Sequence, residues 1–473
     1  MRLPRLRKKY LITLIPVLLL FFTVSFLARE YFANIYVGNI ISEIDTPKAG
    51  DRLLVFAPHS DDESLGAATL IRKSIQNGAR VKVVLVTNGD GFRRAVEIEY
   101  ARLNPSPEEY VSFGYRRQAE SKSALKSLGM KENDMMFLGY PDGGISKMWS
   151  SNWNINNPYF SKYTRTYNSP YKNNYGGKRL YAGENLLDDT KKIVEDFKPT
   201  VIVYPHSNDR HPDHWAVNAF VKYSLAAMNY APEHEWLYLV HRGDWPTPLE
   251  RKRNMYLTPP MSLLRTGTTW FSFSMNDSDI EKKSGTLKLY KSQVKRISHL
   301  MSAFERKNEL FGEYPDMRLT AYTRSDPDIL PDENNRVISD PVKDALGLEI
   351  NPESDILAVH AENSMENNMH VFIVLDGKPA AKPVYYLNMV FFRPDGILPL
   401  SLEISNGELK AARYDENSIV GTEGISSTAL GKSIHITISG DILGDYDKVF
   451  INAESSLGSL HMDRTAWRML YAD

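Results

Sequence analysis

The sequence predicts an α/β protein: a doubly wound, mostly parallel, Rossmann-like sheet, followed by a C-terminal β-sandwich-like domain and preceded by an N-terminal transmembrane anchor. Three observations predict this architecture. Short β-branched runs alternate with helical patterns from residue 52, short strands separated by turn residues replace them beyond about residue 340, and an uncharged stretch follows a basic N-terminus. Alternating strands and helices are typical of a parallel sheet covered on both faces.

The N-terminus combines a basic flank with an apolar segment. Five Lys or Arg residues lie within the first ten positions, and residues 11–28 carry no charge. This length is near the lower limit for a spanning helix and exceeds a usual signal-peptide core. Residues 1–28 are therefore predicted to form a cytoplasmic flank and a single-pass membrane anchor, with the remaining chain outside the cytoplasm. A cleaved signal peptide is the alternative, and it leads to the same compartment.

Composition excludes several classes of chemistry. A chain of 473 residues exceeds the usual limit of a single core, and its net charge of -1 gives no bulk attraction to nucleic acid. The absence of cysteine removes disulfides, thiolate metal sites and cysteine nucleophiles. Any metal must therefore be bound by histidine and carboxylate. A cysteine-free chain outside the cytoplasm suits a bacterial surface protein.

The first folded unit is predicted at residues 50–315. Its strand-like runs include "RLLVFA", "VKVVLVT", "TVIVYP" and "EWLYLV", with helical patterns between them. In open sheets of this type, ligands bind beyond the carboxyl ends of the strands. The stretches "FAPHSDDE" and "YPHSNDRHPDH" both follow strands directly, so we expect their side chains in one crevice.

A segment rich in Tyr, Trp and Asn interrupts this alternation at residues 142–184. It is too long for an ordinary connection. One interpretation is a structured surface insertion with its own aromatic cluster. The other is a wall of a sugar site, where aromatic faces and amide groups meet hydroxyls. The sequence favours the two equally.

The C-terminal third has a different sequence pattern. Residues 316–340 have the Pro, Asp and Asn spacing of a linker, and residues 341–473 contain short strand-like runs between Gly, Asn and Asp turns. This pattern predicts an antiparallel, sandwich-like domain. Packing on the catalytic domain and carbohydrate binding are equally favoured roles for it.

The two strand-end clusters predict a metal site. His59 and Asp62 lie three residues apart on a tight turn after a strand, so both side chains can converge on one point, with Asp61 beside them. The "HPDH" motif at residues 211–214 offers further ligands at the start of a helix. Two histidines and one carboxylate leave open positions for water and substrate, which is typical of a catalytic metal site.

Each cluster also has a simpler interpretation by itself. Acidic residues are favoured at helix starts because they accept backbone N–H bonds and oppose the helix dipole, so "DDE" fits capping. A histidine-rich loop is often a solvated turn. Both clusters at strand ends of one parallel sheet argue against these simpler interpretations and favour the metal site.

Five motifs, in order, resemble the PIG-L, or LmbE-like, family of zinc-dependent N-acetylglucosamine deacetylases. They are "APHSDDE", "TNGDG", "RRQAE", "FLGYPDGG" and "DRHPDHWA", and the resemblance covers about residues 50–300. Ser60 is a departure, since many members have proline there. Its side chain is not a ligand in the family, so we expect a change in turn stiffness and no loss of activity.

The resemblance implies a role for each matched residue. It implies that His59, Asp62 and His214 bind zinc and that Asp61 is the general base. Iron or cobalt can occupy the same ligands. Zinc lowers the pKa of a bound water to about 7 and polarises an amide carbonyl, and a neighbouring carboxylate accepts the water proton.

The resemblance also implies groups on the far side of the substrate. His211 assists the tetrahedral intermediate or protonates the leaving amine, and Asp213 orients His211. Arg117, in "RRQAE", falls where members have a substrate-contacting arginine.

Together these features predict a membrane-anchored, extracytoplasmic deacetylase that removes acetyl from an N-acetylated amino sugar of a surface glycan or lipid-linked saccharide. Two alternatives are open. Non-haem iron oxygenases also use two histidines and one carboxylate, usually in a cupin barrel and not on alternating strands and helices. A non-catalytic surface carbohydrate-binding protein with a vestigial metal site is the second, and the filled catalytic positions count against it.

Overall fold

The computed structural model describes single positions between residues 16 and 37 and the ranges 40–243, 245–321, 331–346, 351–364, 368–414 and 419–472. Most of the predicted anchor, residues 1–28, lies outside these residues. Among the positions that are described, no helix combines the length and the apolar character that crossing a membrane requires.

An eight-stranded sheet forms the N-terminal half of the molecule. Its strands are β1 (Ser42–Glu43), β2 (Arg52–Ala57), β3 (Arg80–Thr87), β4 (Met135–Tyr140), β5 (Val201–Pro205), β6 (His234–Tyr238), β7 (Thr269–Ser274) and β8 (Asn308–Glu313). Their order is β1-β7-β8-β6-β5-β2-β3-β4. The five strands from β6 to β4 are parallel, whereas β8 is antiparallel to β6 and β7. The predicted doubly wound, mostly parallel sheet is therefore observed, with its switch point between β2 and β5.

Helices cover both faces of this sheet. They are α1 (Asp62–Gln76), α2 (Arg93–Glu99), α3 (Pro107–Ser127), α4 (Ile145–Ser150), α5 (Gly183–Phe197), α6 (Pro212–Ala227), α7 (Asp277–Leu287) and α8 (Lys291–Ala303). Strand β2 shows why the sheet is buried on both sides: Leu53 and Val55 pack in one core with α1 and α7, and Leu54 and Phe56 pack in another with α5 and α6. Successive side chains of a strand point to opposite faces, so a continuous apolar run supplies both cores.

The C-terminal part is a sandwich of two sheets. Its strands are β9 (Met317–Arg318), β10 (Thr320–Ala321), β11 (Arg336–Ser339), β12 (Ile356–Asn363), β13 (Met369–Leu375), β14 (Val384–Arg393), β15 (Gly396–Ser405), β16 (Glu408–Arg413), β17 (Ile419–Val420), β18 (Ile425–Leu430), β19 (Ser433–Ile438), β20 (Lys448–Leu457), β21 (Leu460–Arg464) and β22 (Arg468–Tyr471), with a short helix α9 (Gly440–Leu443). One sheet runs β10-β12-β13-β19-β18 and the other β17-β16-β15-β14-β20-β22-β9. Ile373 of the first and Met389 of the second share one apolar core, as a sandwich requires.

The predicted linker at residues 316–340 is wrong as a description of this segment. Strand β9 pairs with β22, and both β10 and β11 pair with β12, so the segment contributes to both sheets of the sandwich. Its Pro and Asp spacing separates short edge strands whose partners lie far along the chain. Residues 322–330 are outside the described part.

The sandwich packs directly on the helices of the first domain. Trp149 of α4 lies at the centre of this junction, with ring centroids 5.0 Å from Phe220, 6.1 Å from Phe450 and 5.2 Å from Trp467. Trp149 is 9% exposed, and Phe450 is fully buried. Packing against the first domain, one of the two predicted roles of the C-terminal domain, is therefore observed.

Candidate active site

The predicted site residues meet at the carboxyl ends of the parallel strands, beside the switch point of the sheet. The turn after β2 carries His59, Asp61 and Asp62, and the loop after β5 carries the "HPDH" motif at residues 211–214. The rings of His59 and His211 are 4.6 Å apart between centroids, and those of His59 and His214 are 5.2 Å apart. The expectation that both clusters share one crevice is confirmed.

Three ligand atoms form a small triangle. Nδ1 of His59, Oδ2 of Asp62 and Nε2 of His214 are separated by 3.1 Å, 3.2 Å and 3.1 Å. Two ligands bound to zinc at about 2.0 to 2.1 Å in tetrahedral geometry are about 3.3 Å apart. The triangle therefore has the size of one face of a zinc tetrahedron, and its two nitrogens and one oxygen are the donor set of a catalytic zinc site.

The charge of these groups also fits a cation. Burial alone would raise the pKa of Asp62, but His214 and His59 hold it well below its usual range. Burial alone would lower the pKa of His214, but Asp209 and Asp62 raise it to about 9. The carboxylates therefore favour positive charge at the triangle. Oδ1 of Asp62 is buried without a hydrogen-bond partner among the described residues.

A carboxylate supports each of the two histidine ligands. Oδ2 of Asp213 lies 3.2 Å from Nε2 of His59, and Oδ2 of Asp209 lies 3.1 Å from Nδ1 of His214. Both acids are fully buried. Such a carboxylate fixes the orientation of a metal-binding histidine and increases its basicity.

Asp213 hydrogen-bonds the ring of His211 through its backbone N–H, and the orienting role of its carboxylate stays a prediction. Its carboxylate accepts hydrogen bonds from the backbone N–H groups of Gly143 (2.7 Å) and Ile145 (3.0 Å) and contacts His59. The backbone N–H of Asp213 donates to Nδ1 of His211 at 3.2 Å. The loop after β4 arrives beside Asp213 and supplies donors that the sequence does not place there.

Asp61 occupies a constrained position next to the triangle. It precedes α1 with φ 135°, a conformation that costs a non-glycine residue energy and is found at functional sites. Its side chain makes no capping hydrogen bond, so the capping interpretation does not hold for this residue. Burial raises the pKa of Asp61 to about 7, although Arg117 opposes this shift.

Arg117 holds the turn that carries Asp61. Its Nη2 lies 3.2 Å from Oδ2 of Asp61 and donates to the carbonyl of Ser60 at 2.5 Å, while Nη1 donates to the carbonyl of Gly89 at 2.8 Å. The side chain is only 4% exposed. Substrate contact by Arg117 stays a prediction, and its observed contacts are those of a positioning residue.

His211 presents one defined proton donor. Because Nδ1 accepts the backbone hydrogen bond from Asp213, a neutral His211 carries its proton on Nε2. Burial, and then positive charge on His59 and His214, lower the pKa of His211 to about 4, so the neutral form prevails near pH 7. A neutral N–H donor suits a developing oxyanion better than it suits complete proton transfer.

Three further side chains of the site were not predicted from the sequence. Oδ1 of Asp142, after β4, lies 3.4 Å from Nε2 of His59, and Nε2 of His241, after β6, lies 3.8 Å from Oδ1 of Asp62. His59, Asp62, His214 and His241 form a group whose ligand atoms all lie within 4.8 Å of one another. Asp209 is the third. All three follow strands of the parallel sheet, so the strand-end rule applied to every strand would have found them.

Two tyrosines of the insertion at residues 142–184 border the site. The ring of Tyr163 approaches within 2.7 Å of where a side chain on Gly91 would begin, and the ring of Tyr159 within 2.7 Å of the same position on Gly144. Both rings are half-buried, and the charge of Asp142 acts on both hydroxyls. The insertion is therefore structured and supplies an aromatic edge to the crevice.

Comparison with known families agrees with the motifs. Residues 54–224 match the family model described as PIG-L: GlcNAc-PI de-N-acetylase. A curated relative from Saccharopolyspora erythraea, 1D-myo-inositol 2-acetamido-2-deoxy-alpha-D-glucopyranoside deacetylase 2, is 27% identical over 267 residues, which cover 51% of this chain and 83% of the relative. The resemblance predicted from the motifs is confirmed.

Two deacetylases are among the solved structures to which this chain is similar. A deacetylase–bog complex of the teicoplanin biosynthesis pathway has a TM-score of 0.37 and 16% identity, with 55% of this chain and 96% of that chain covered. The N,N'-diacetylchitobiose deacetylase of Pyrococcus horikoshii has a TM-score of 0.35 and 15% identity, with 60% and 92% covered. Because both TM-scores are below 0.5, the resemblance to the PIG-L family rests on the family model and the curated relative.

Proposed function

Since residues 54–224 match the family model described as PIG-L: GlcNAc-PI de-N-acetylase, we propose that this protein is a zinc-dependent hydrolase that removes the N-acetyl group from an N-acetylated amino sugar and releases acetate. The observation that carries the proposal is the triangle of His59, Asp62 and His214, with edges of 3.1 to 3.2 Å, at the positions of the family's motifs. Asp61 stands beside it.

The chain's own residues supply the proton transfers. Zinc in this site would lower the pKa of a water and polarise the amide carbonyl. Asp61 accepts a proton from the attacking water as its oxygen bonds to the carbonyl carbon. Asp61 then delivers that proton to the amide nitrogen, the C–N bond breaks, and acetate and a free amine leave. Burial raises the pKa of this carboxyl group above its ordinary value, which helps Asp61 to hold the proton until it is returned.

His211 and Arg117 assist Asp61 in different ways. Nε2–H of His211 donates to the oxyanion that develops on the carbonyl oxygen, which is the first of the two roles that the resemblance implies. Arg117, at 3.2 Å, keeps the carboxylate of Asp61 in place and favours its charged form.

The substrate class follows from the crevice and the relatives. Half-buried tyrosines Tyr159 and Tyr163 border the site, and aromatic faces bind the apolar faces of sugar rings. The relative from Saccharopolyspora erythraea is named for an acetamido-deoxy-glucopyranoside. We therefore assign a sugar acetamide, presented by a surface glycan or a lipid-linked saccharide, as the substrate.

We also propose that the catalytic domain acts outside the cytoplasm, tethered by residues 1–28. Five Lys or Arg residues before an uncharged stretch at residues 11–28 support this orientation. Protease treatment of intact bacterial cells expressing the protein checks it. We expect protease added outside the cells to degrade the folded domains. Protection of these domains to the same extent as a cytoplasmic marker protein would contradict the proposal.

Acetate release by the zinc-loaded, full-length protein tests the proposed activity. The substrates are a panel of glycans and lipid-linked saccharides that contain N-acetylhexosamine, and the variant Tyr159→Phe, which keeps the ring and removes the hydroxyl, tests the aromatic border of the site. We expect acetate from at least one member of the panel, with Tyr159→Phe altering KM more than kcat. Zinc-replete protein that releases no acetate from any member contradicts the proposal.

A further inference from the structure

A second cluster of acidic side chains lies in the sandwich domain, far along the chain from the catalytic motifs. It contains Asp340 directly after β11, Asp344 in the following turn and Asp463 on β21. One carboxylate oxygen of each lies within 4.8 Å of the others. Two oxygens on opposite sides of a calcium ion, each about 2.4 Å from it, are separated by about the same distance.

Asp340 is the unusual member of the cluster. Asp340 is only 6% exposed. Neither of its carboxylate oxygens has a hydrogen-bond partner among the described residues. Buried carboxylates are ordinarily paired or hydrogen-bonded, because removing them from water is costly. Two unpartnered oxygens on one buried aspartate therefore indicate a ligand at this place.

The other two aspartates each use their oxygens in a defined way. Oδ2 of Asp463 accepts from the backbone N–H of Ile356 at 2.7 Å, and Oδ1 accepts from that of Arg464 at 2.8 Å, which fixes the carboxylate. Oδ2 of Asp344 lies 3.3 Å from Arg210, while Oδ1 is buried without a partner. Asp344 thus has one oxygen directed to protein and one free for a ligand.

The neighbouring cations do not complete the site. Arg464 acts electrostatically on all three aspartates, but its guanidinium stacks on the ring of Trp215 at 4.4 Å and donates to the carbonyl of Thr465. Within the described residues, no ion pair shorter than 4.0 Å joins Arg464 to the cluster. Two further arginines, Arg210 and Arg242, approach only Asp344, and Asp355 adds another negative charge that its own backbone hydrogen bonds hold.

We propose that Asp340, Asp344 and Asp463 form a calcium site at the junction of the two domains. An all-carboxylate donor set suits a hard cation, and it contrasts with the histidine-containing set of the catalytic cluster. Calcium accepts six to eight oxygens in adaptable geometry, so three carboxylates leave positions for water or backbone carbonyls. This inference is independent of the proposed deacetylase activity.

The place of the site in the fold indicates its effect. Asp344 contacts Arg210, which directly precedes the "HPDH" motif, and Arg242, which directly follows His241. Nη1 of Arg242 also donates to the carbonyl of Asn208 at 3.1 Å. A cation that fixes Asp344 therefore braces two active-site loops from the sandwich side and joins the two domains.

Calcium titration of the zinc-loaded, full-length protein tests this proposal in chelator-free buffer. Thermal unfolding and the luminescence of terbium, a calcium substitute excited through nearby aromatic rings such as Trp215 and Tyr314, are the two measurements. We expect calcium at a few millimolar to raise the unfolding temperature by several degrees. Terbium luminescence should appear and be displaced by calcium. Magnesium at equal concentration should have less than about a tenth of the effect.

Asp340→Asn and Asp344→Asn provide the variants, and Asp447→Asn, an exposed aspartate of the same domain, provides the matched control. We expect at least tenfold weaker calcium binding in both cluster variants and unchanged calcium binding in the control. Asp344 is partly exposed, so that variant stays informative if Asp340→Asn does not fold. Calcium-independent unfolding of the wild type, equal effects of magnesium and calcium, or unchanged binding in Asp344→Asn overturns the proposal.

Discussion

The two ligand clusters of this molecule differ in composition and in how they are held. The catalytic triangle of His59, Asp62 and His214 combines imidazole with carboxylate, whereas the sandwich cluster around Asp340 is entirely carboxylate. Imidazole suits zinc, and carboxylate oxygens suit calcium or magnesium. The two clusters thus suit chemically different cations.

The two clusters also differ in the hydrogen-bond partners that surround their ligands. Asp213 and Asp209 support the two catalytic histidines from outside the triangle, so the ligands are already oriented. Asp340, in contrast, has no hydrogen bond to either carboxylate oxygen within the described structure. A preoriented site with open positions serves catalysis, and a site whose carboxylates lack partners depends on its ion for stability.

Removing a catalytic ligand gives the largest expected effect. In His214→Ala, zinc content should fall and acetate release should drop to background, because two remaining ligands do not make a catalytic zinc site. Metal analysis and an acetate assay measure this. Calcium-dependent stabilisation should persist, which separates the two clusters. Retention of more than about a tenth of the wild-type rate would contradict the assignment.

Disrupting the packing between the two domains should have the next largest effect, a loss of stability. Trp149→Ala removes the ring that lies 5.2 Å from Trp467 and 5.0 Å from Phe220 between centroids. Loss of a buried tryptophan costs about 3–5 kcal/mol of the free energy of unfolding. Urea unfolding measures it, with Trp149→Phe as the milder control. A loss below about 1 kcal/mol would show that the junction contributes little.

Removing a supporting carboxylate should have a smaller effect. Asp209→Asn keeps the size of the side chain but weakens its support of His214, 3.1 Å away. Zinc affinity should fall about 10–100-fold, because such outer carboxylates orient metal-binding histidines. Competition with a zinc chelator measures this affinity. The exposed Asp188→Asn is the control, and an Asp209→Asn affinity within about twofold of wild type would refute the role.

The pH dependence of calcium stabilisation is the smallest expected effect. Burial and the charge of Asp344 raise the pKa of Asp463 to about 8. The folded protein therefore keeps this proton between pH 4 and pH 8, where the unfolded chain has lost it, so stability without calcium declines as pH rises through that window.

Calcium requires the deprotonated carboxylates and should reverse this decline. Its effect on the unfolding temperature should be larger at about pH 8.5 than at about pH 6. Thermal unfolding with and without calcium at both pH values provides the measurement. A calcium effect that decreases with rising pH would contradict the carboxylate site.

The sheet and the main candidate metal ligands could be predicted from the sequence. His59, Asp62 and His214 each adjoin a recognisable strand, and parallel strands deliver such residues to one edge. The partner of Asp213 could not be predicted, because it depends on where the loop of Asp142 arrives. Strands β9 and β10 were missed for the same reason: two-residue edge strands have no periodicity of their own and depend on distant partners.

The most direct test of the account is acetate release by Asp61→Asn under saturating zinc, with the zinc content of each preparation measured. Asparagine keeps the size of the side chain but does not accept the proton of the attacking water. We expect a rate about 10²–10⁴-fold below that of the wild type, with zinc content unchanged. A fully zinc-loaded Asp61→Asn variant that releases acetate at the wild-type rate would contradict it.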